Sequence, residues 1–190
     1  MIAIIDLGVG NLSNVRKAFN GIITRDPYKI EKAEKIVLPG VGNFSVASKA
    51  LSSISKVIVD AVNEGKPILG ICLGYQLLFE ESEEGNGQGL CLLKGKVLRL
   101  SKAPHIGWNR VFIKKECKLF EDIENGSFFY FVHSYAPLPE DVSIVTGVTY
   151  VNENLSFVSA ICKDNIYGVQ FHPEKSSKLG LKLINNFRRL

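Results

Sequence analysis

The sequence predicts an α/β fold: a central, mostly parallel sheet flanked by helices, with antiparallel strands added in the C-terminal half. Three observations carry this. Short apolar runs alternate with helical periodicity through the first half of the chain. The second half is strand-like almost throughout. The 190 residues, 46% of them hydrophobic, can bury one substantial core, and no linker, repeat or low-complexity stretch divides residues 1–190 into more than one domain.

Taken in order, "MIAIID" (1–6) reads as a buried strand and "NLSNVRKAF" (11–19) as a helix with Asn11 as its N-cap. "KIVLPG" (35–40) is a second short strand that stops at Pro39. In "ASKALSSISKVIVDAVNEG" (47–65), Leu51, Ile54, Val57, Ile58 and Val62 keep helical spacing and Gly65 closes the helix. "PILGI" (67–71) is a third strand, with "LGYQLLFEES" (73–82) as the helix after it. Such alternation argues for parallel strands covered on both faces. Beyond residue 94, "GKVLRL", "NRVFIKK", "SFFYFVHSYAPL" and "VSIVTGVTYV" are strand-like. "LSFVSAICKDNIYGVQFHPE" (155–174) reads as two strands joined by a hairpin turn at Lys163-Asp164-Asn165. "LGLKLINNFRRL" (179–190) ends the chain as an amphipathic helix.

Composition narrows the function classes. The net charge of +4 is modest and its basic residues are scattered, so no nucleic-acid footprint is expected. No apolar run approaches the ~20 residues of a membrane span. The N-terminal apolar run ends at Asp6, too early for a signal peptide, and a cytoplasmic location is expected. Cys72, Cys91, Cys117 and Cys162 are dispersed, so neither a disulfide framework nor a metal site is expected.

The chemistry centres on "GICLGYQ" (70–76). Gly70-Ile71-Cys72-Leu73-Gly74 fits a nucleophile elbow, G-x-C-x-G, at a strand-to-helix turn. Small flanking residues let a strained turn form. A following helix N-terminus favours the thiolate, and the Leu73 amide is placed to meet an oxyanion. A small buried hydrophobe is the plain alternative for a lone cysteine, and the motif divides the two readings evenly. "FHPE" (171–174) adds a base. Pro173 disfavours helix at His172, and in an extended chain His172 and Glu174 point the same way, so the carboxylate can hold the imidazole tautomer. The strand before it would put this pair at an edge of the core. "LPGVGNF" (38–44) is an ordinary β-to-α turn by itself, but its exposed amides suit a second oxyanion donor. "DLGVGN" (6–11) fails the dinucleotide pattern, with Ser13 where a third glycine belongs.

With "DLGVGN", "LPGVGNF", "GICLGYQLLF", "PHIGWN", "FVHSY" and "YGVQFHPEKS" in that order, nearly the whole chain resembles the class I, triad-type glutamine amidotransferases. The resemblance implies a flavodoxin-like amidotransferase fold. It implies Cys72 as nucleophile, His172 as general base and acid, and Glu174 as the orienting carboxylate. Val41 or Gly42, with Leu73, would form the oxyanion hole. Gln76, Ser134 and Tyr135 would hold the amino-acid end of glutamine. Asn11, Trp108, Tyr130 and Lys175 would face a partner, implied to be a (β/α)8-barrel synthase subunit that receives the ammonia in a heterodimer. No cofactor or metal is implied. The chain departs from the family at Leu7 and Tyr75, and residues 17–29 form a shortened stretch. Two other readings are a stand-alone cysteine hydrolase of the same fold and a regulatory subunit with a vestigial triad. A third is an amidotransferase subunit serving another acceptor, as in amidino-sugar synthesis.

Overall fold

Four buried aliphatic residues form β1 (Ile2–Ile5) at the start of the computed structural model, which describes residues 1–8 and 12–190. The first half continues through α1 (Leu12–Phe19), β2 (Ile22–Thr24), α2 (Pro27–Lys32), β3 (Lys35–Leu38), α3 (Phe44–Leu51), α4 (Ser55–Asn63) and β4 (Ile68–Ile71). A single helical turn follows, α5 (Leu73–Gln76). The second half carries β5 (Glu81–Ser82), β6 (Gly95–Arg99), β7 (His105–Ile113), β8 (Ser127–His133) and β9 (Tyr135–Pro139). It ends with β10 (Val145–Asn152), β11 (Leu155–Lys163), β12 (Ile166–Val169) and α6 (Ser177–Arg189).

Among the described residues, nine strands form one sheet in the order β2-β1-β3-β4-β12-β11-β10-β7-β8. The strands from β2 to β12 pair in parallel, and those from β12 to β8 are antiparallel. A smaller sheet, β5-β6-β9, packs beside it. Alternate strand residues feed the two faces, as pleating demands. Ile2, Ile4, Val37, Leu69 and Ile71 join Phe19 of α1 and Phe187 of α6 on one side. Ile5, Ile36, Leu38 and Ile68 join α3 and α4 on the other. No helix is long and apolar enough to cross a membrane, among the described residues.

Several expectations need correction. The long helix over 47–65 is two helices, because Ser52 and Ser55 hydroxyls donate to the Lys49 and Ser52 carbonyls and turn the chain at Ile54. The helix over 73–82 stops at Gln76. Leu77, Leu78 and Phe79 are fully buried with no polar face, and the Leu77, Leu78 and Phe79 carbonyls accept from Leu90, Leu93 and Cys91 N–H groups instead. The shortened stretch holds β2, and the first turn of α2 follows, with Asp26 capping the Tyr28 N–H at 3.0 Å and Pro27 at the first helical position. "SFFYFVHSYAPL" is two strands that part at Ser134 into different sheets. The proposed N-cap Asn11 lies outside the described residues.

The cysteine expectation is also overturned. Cys117 and Cys162 form a disulfide, with Cα atoms 6.5 Å apart and the two positions 45 residues apart in sequence. No local spacing marks such a pair; only the packing of the turn after β7 against β11 brings it together. Cys72 and Cys91 are free.

Candidate active site

The catalytic candidates meet because β4 and β12 are parallel neighbours in register, with Ile71 opposite Val169. Their C-terminal ends therefore release Cys72 and the 170–174 segment side by side. This is the middle of the sheet, at the C-terminal ends of its strands.

Cys72 sits at φ 54°, ψ −109°, a backbone position that side chains other than glycine rarely take. Its N–H donates to the Val169 carbonyl at 2.8 Å, holding the elbow against β12. The flanking glycines have steric causes. A Cβ on Gly74 would lie 1.6 Å from the Leu38 carbonyl oxygen, and one on Gly70 would lie 2.7 Å from the Tyr75 backbone. Tyr75, where the chain departs from the family, is fully buried over Gly168, whose own Cβ would meet its ring at 2.2 Å. The helix after the elbow is only one turn long, so its dipole contributes little to the thiolate.

His172 and Glu174 do face together, with Nδ1 and Oε1 2.8 Å apart. The reason differs from the expected one: Pro173–Lys175 is a 3-10 turn, not extended chain, and it brings Glu174 back to the ring nitrogen. The Ser176 hydroxyl donates to the His172 carbonyl at 2.6 Å, and the His172 N–H donates to the Tyr130 carbonyl at 2.9 Å, fixing the turn. Both side chains are nearly sealed from solvent, at 2% and 6% exposure. Burial draws the imidazole pKa down, but the adjacent Cys72 sulfur and the Glu174 carboxylate outweigh it and His172 is pushed up to about 10. These two neighbours thus favour the charged form of the ring. Its Nε2 is buried without a hydrogen-bond partner and stands ready for a reacting group.

Cys72 opens on a cavity of about 250 Å³, lined by Val41, Gly42, Leu73, Gln76, Ser134 and Tyr135 among others. A larger hollow of about 950 Å³ lies beside the disulfide and contains none of these residues. Gln76 donates from its amide to the Tyr135 carbonyl at 2.9 Å and to the Gln170 side-chain oxygen at 3.3 Å. One expectation fails here as drawn. The Leu73 N–H donates to the Gly40 carbonyl at 3.3 Å, so it is not free to hold an oxyanion in this conformation.

On the outside of the same region, Trp108 and Tyr130 pair across β7 and β8, their rings 6.1 Å apart at a steep angle. Lys175 Nζ lies 6.0 Å from the Tyr130 ring. Trp108 is 53% exposed. Asn11, the fourth of this group, is outside the described residues.

Sequence reasoning missed three polar residues here. Glu84 lines the cavity and accepts from the Phe44 N–H at 2.7 Å, a contact across 40 residues that no pattern announces. His133 lines it as well, buried and drawn down by that burial to about 3. Gln170 had a visible signal: one amide inside the otherwise apolar strand-like run "IYGVQF".

A family model for the class-I glutamine amidotransferase domain matches residues 11–189. The chain belongs to the class-I glutamine amidotransferases. As a class-I amidotransferase, it is 63% identical over its full length to a protein of Pyrococcus furiosus named imidazole glycerol phosphate synthase subunit HisH, covering 98% of that relative. It is 59% identical to a protein of the same name from Thermococcus kodakarensis, with each chain covered in full. Among solved structures, PurLQS from Thermotoga maritima matches with a TM-score of 0.76 over 99% of this chain and 97% of its own, at 21% identity, a likeness of fold.

Proposed function

We propose that this amidotransferase is the glutaminase subunit of an imidazole glycerol phosphate synthase, acting in histidine biosynthesis. The His172–Glu174 hydrogen bond beside the elbow cysteine is the observation that carries the chemistry. The full-length likeness to two relatives of that name supports the choice of acceptor.

The geometry supports the following reaction. The Cys72 thiolate attacks the side-chain carbonyl carbon of glutamine bound in the cavity. As the C–N bond breaks, His172 Nε2 hands its proton to the departing nitrogen, giving ammonia and a γ-glutamyl thioester. The same nitrogen then takes a proton from water, which attacks the thioester and releases glutamate and the thiolate. Glu174 keeps the imidazole oriented and stabilises its charged form. Gln76, with both amide hydrogens committed to Tyr135 and Gln170, presents its carbonyl oxygen to the ammonium of the substrate.

The oxyanion site needs a rearrangement. Turning the peptide at Gly40 would remove its carbonyl from the Leu73 N–H and let that amide act with Val41 or Gly42 on the developing charge. Gly42, at φ 106°, gives the loop the freedom to do so. We assign the trigger to a (β/α)8-barrel synthase subunit docking on Trp108, Tyr130 and Lys175, with Asn11 in the same role. The reading carries with it a cytoplasmic heterodimer in which ammonia passes directly to the barrel.

Glutamate release by this chain alone, and with its synthase subunit plus acceptor ligand, tests the reading. Weak activity alone should rise by orders of magnitude in the complex. Trp108→Ala or Lys175→Ala should weaken that stimulation while leaving Cys72 open to a reactive glutamine analogue. Full activity in the isolated chain, indifferent to any barrel subunit, would refute it.

A further inference from the structure

A continuous run of buried hydrogen bonds fixes which atom faces the Cys72 sulfur. The Tyr135 carbonyl can only accept, so Gln76 Nε2, 2.9 Å away, and His133 Nδ1, 2.8 Å away, both donate to it. Gln76 Nε2 is therefore the amide nitrogen, and the Gln170 atom 3.3 Å from it must be the acceptor, Oε1. That leaves Gln170 Nε2 aimed at Cys72 Sγ, 3.6 Å away, within hydrogen-bond range for sulfur. The orientation is braced from further out. His133 is neutral, its Nε2 accepts from His105 Nδ1 at 3.0 Å, and His105 Nε2 accepts from the Asn109 amide at 3.1 Å. Gln170 is fully buried, and its own N–H donates to the Ser159 carbonyl at 2.9 Å. A side chain so held cannot turn its amide away without orphaning several polar groups.

We infer that Gln170 is a further catalytic residue, whose side-chain N–H donates to the Cys72 sulfur and stabilises it as the thiolate. A second task follows from its oxygen, which holds the Gln76 amide and so sets the group that meets the substrate. The inference rests on Cys72 being the nucleophile.

The test is the pH dependence of Cys72 alkylation by iodoacetamide, in a Cys91→Ser background because Cys91 is an exposed free thiol. The ionisable groups facing Cys72 are His172 with Glu174 behind it, His133 from β8, and Glu84 on the cavity wall. All stay in place in Gln170→Met. Loss of a hydrogen bond to a charged sulfur should raise the thiolate midpoint by about one to two pH units. Simple loss of packing would leave it unmoved. The wild-type protein gives a second reading that needs no folded variant. The sequence contains only three glutamines, Gln76, Gln88 and Gln170, so their 15N-labelled side-chain amides are few enough to follow. The Gln170 amide signal should move with pH at the Cys72 midpoint and cease to do so in Cys72→Ala. A folded Gln170→Met with an unmoved midpoint, or a wild-type Gln170 amide indifferent to Cys72, overturns the inference. Labelling the same samples with a chloroketone analogue of glutamine separates the two claims. Labelling at Cys72 with an unmoved midpoint removes only the role of Gln170. Labelling elsewhere in the wild type removes the nucleophile, and this inference with it.

Discussion

Breaking the Cys117–Cys162 bond, which packs against the core, should lower stability substantially. The bond closes a span of 45 residues that includes β8, β9 and β10, and with them the His133–Tyr135 wall of the cavity. Its main effect is on the unfolded chain, which loses conformational freedom when two distant residues are tied. For a span of that length the chain-entropy relation gives about 4 kcal/mol. At 2–4 °C per kcal/mol for a chain of this size, the double variant Cys117→Ser/Cys162→Ser should melt about 8–16 °C lower. Calorimetry of the variant, and of the wild type with and without reductant, measures this. Titration of thiols in denaturant should find two without reductant and four with it, since four cysteines are present and two are free. Four reactive thiols in the unreduced protein, or a melting point unchanged by reductant, would refute the reasoning.

Glu174→Gln should lower kcat by about 10²–10⁴-fold while Cys72 still reacts slowly with a glutamine chloroketone. Because Glu174 raises the pKa of His172, and protonated His172 serves the leaving nitrogen, the alkaline limb of the rate profile should shift to lower pH in this variant. Gly74→Ala should fail to form the elbow, since its Cβ would meet backbone at 1.6 Å, and the variant should be recovered unfolded or without labelling at Cys72. His133 is held neutral in the fold at about 3, against an unfolded value near 6.5, so its contribution to stability is present above pH 6.5 and lost as pH falls toward 3. That loss is about 2 kcal/mol by pH 5, and the pH dependence of denaturant unfolding should be correspondingly shallower in His133→Asn.

The sequence by itself carried whatever depends on near neighbours. The runs at 1–6, 35–40 and 67–71 marked three of the parallel strands, since a strand buried on both faces is apolar along most of its length. G-x-C-x-G marked the elbow, because only glycine at Gly70 and Gly74 lets the chain turn so tightly. His172 and Glu174, two residues apart, could be paired on paper, although the 3-10 turn that joins them was not foreseen. Tertiary structure decided the rest, because it turns on contacts between segments far apart in the chain. The pairing of β4 with β12 set Cys72 beside His172 across 100 residues. Packing also cut the helix after the elbow to one turn, joined Cys117 to Cys162 and gave the Leu73 amide to Gly40. The same cause aims the Gln170 amide at the reactive sulfur: its direction is set by Gln76, the Tyr135 carbonyl and His133, none of them near it in sequence. Local patterns carry strand faces and turn sterics, whereas the direction of a buried hydrogen bond is known only once every partner has been placed.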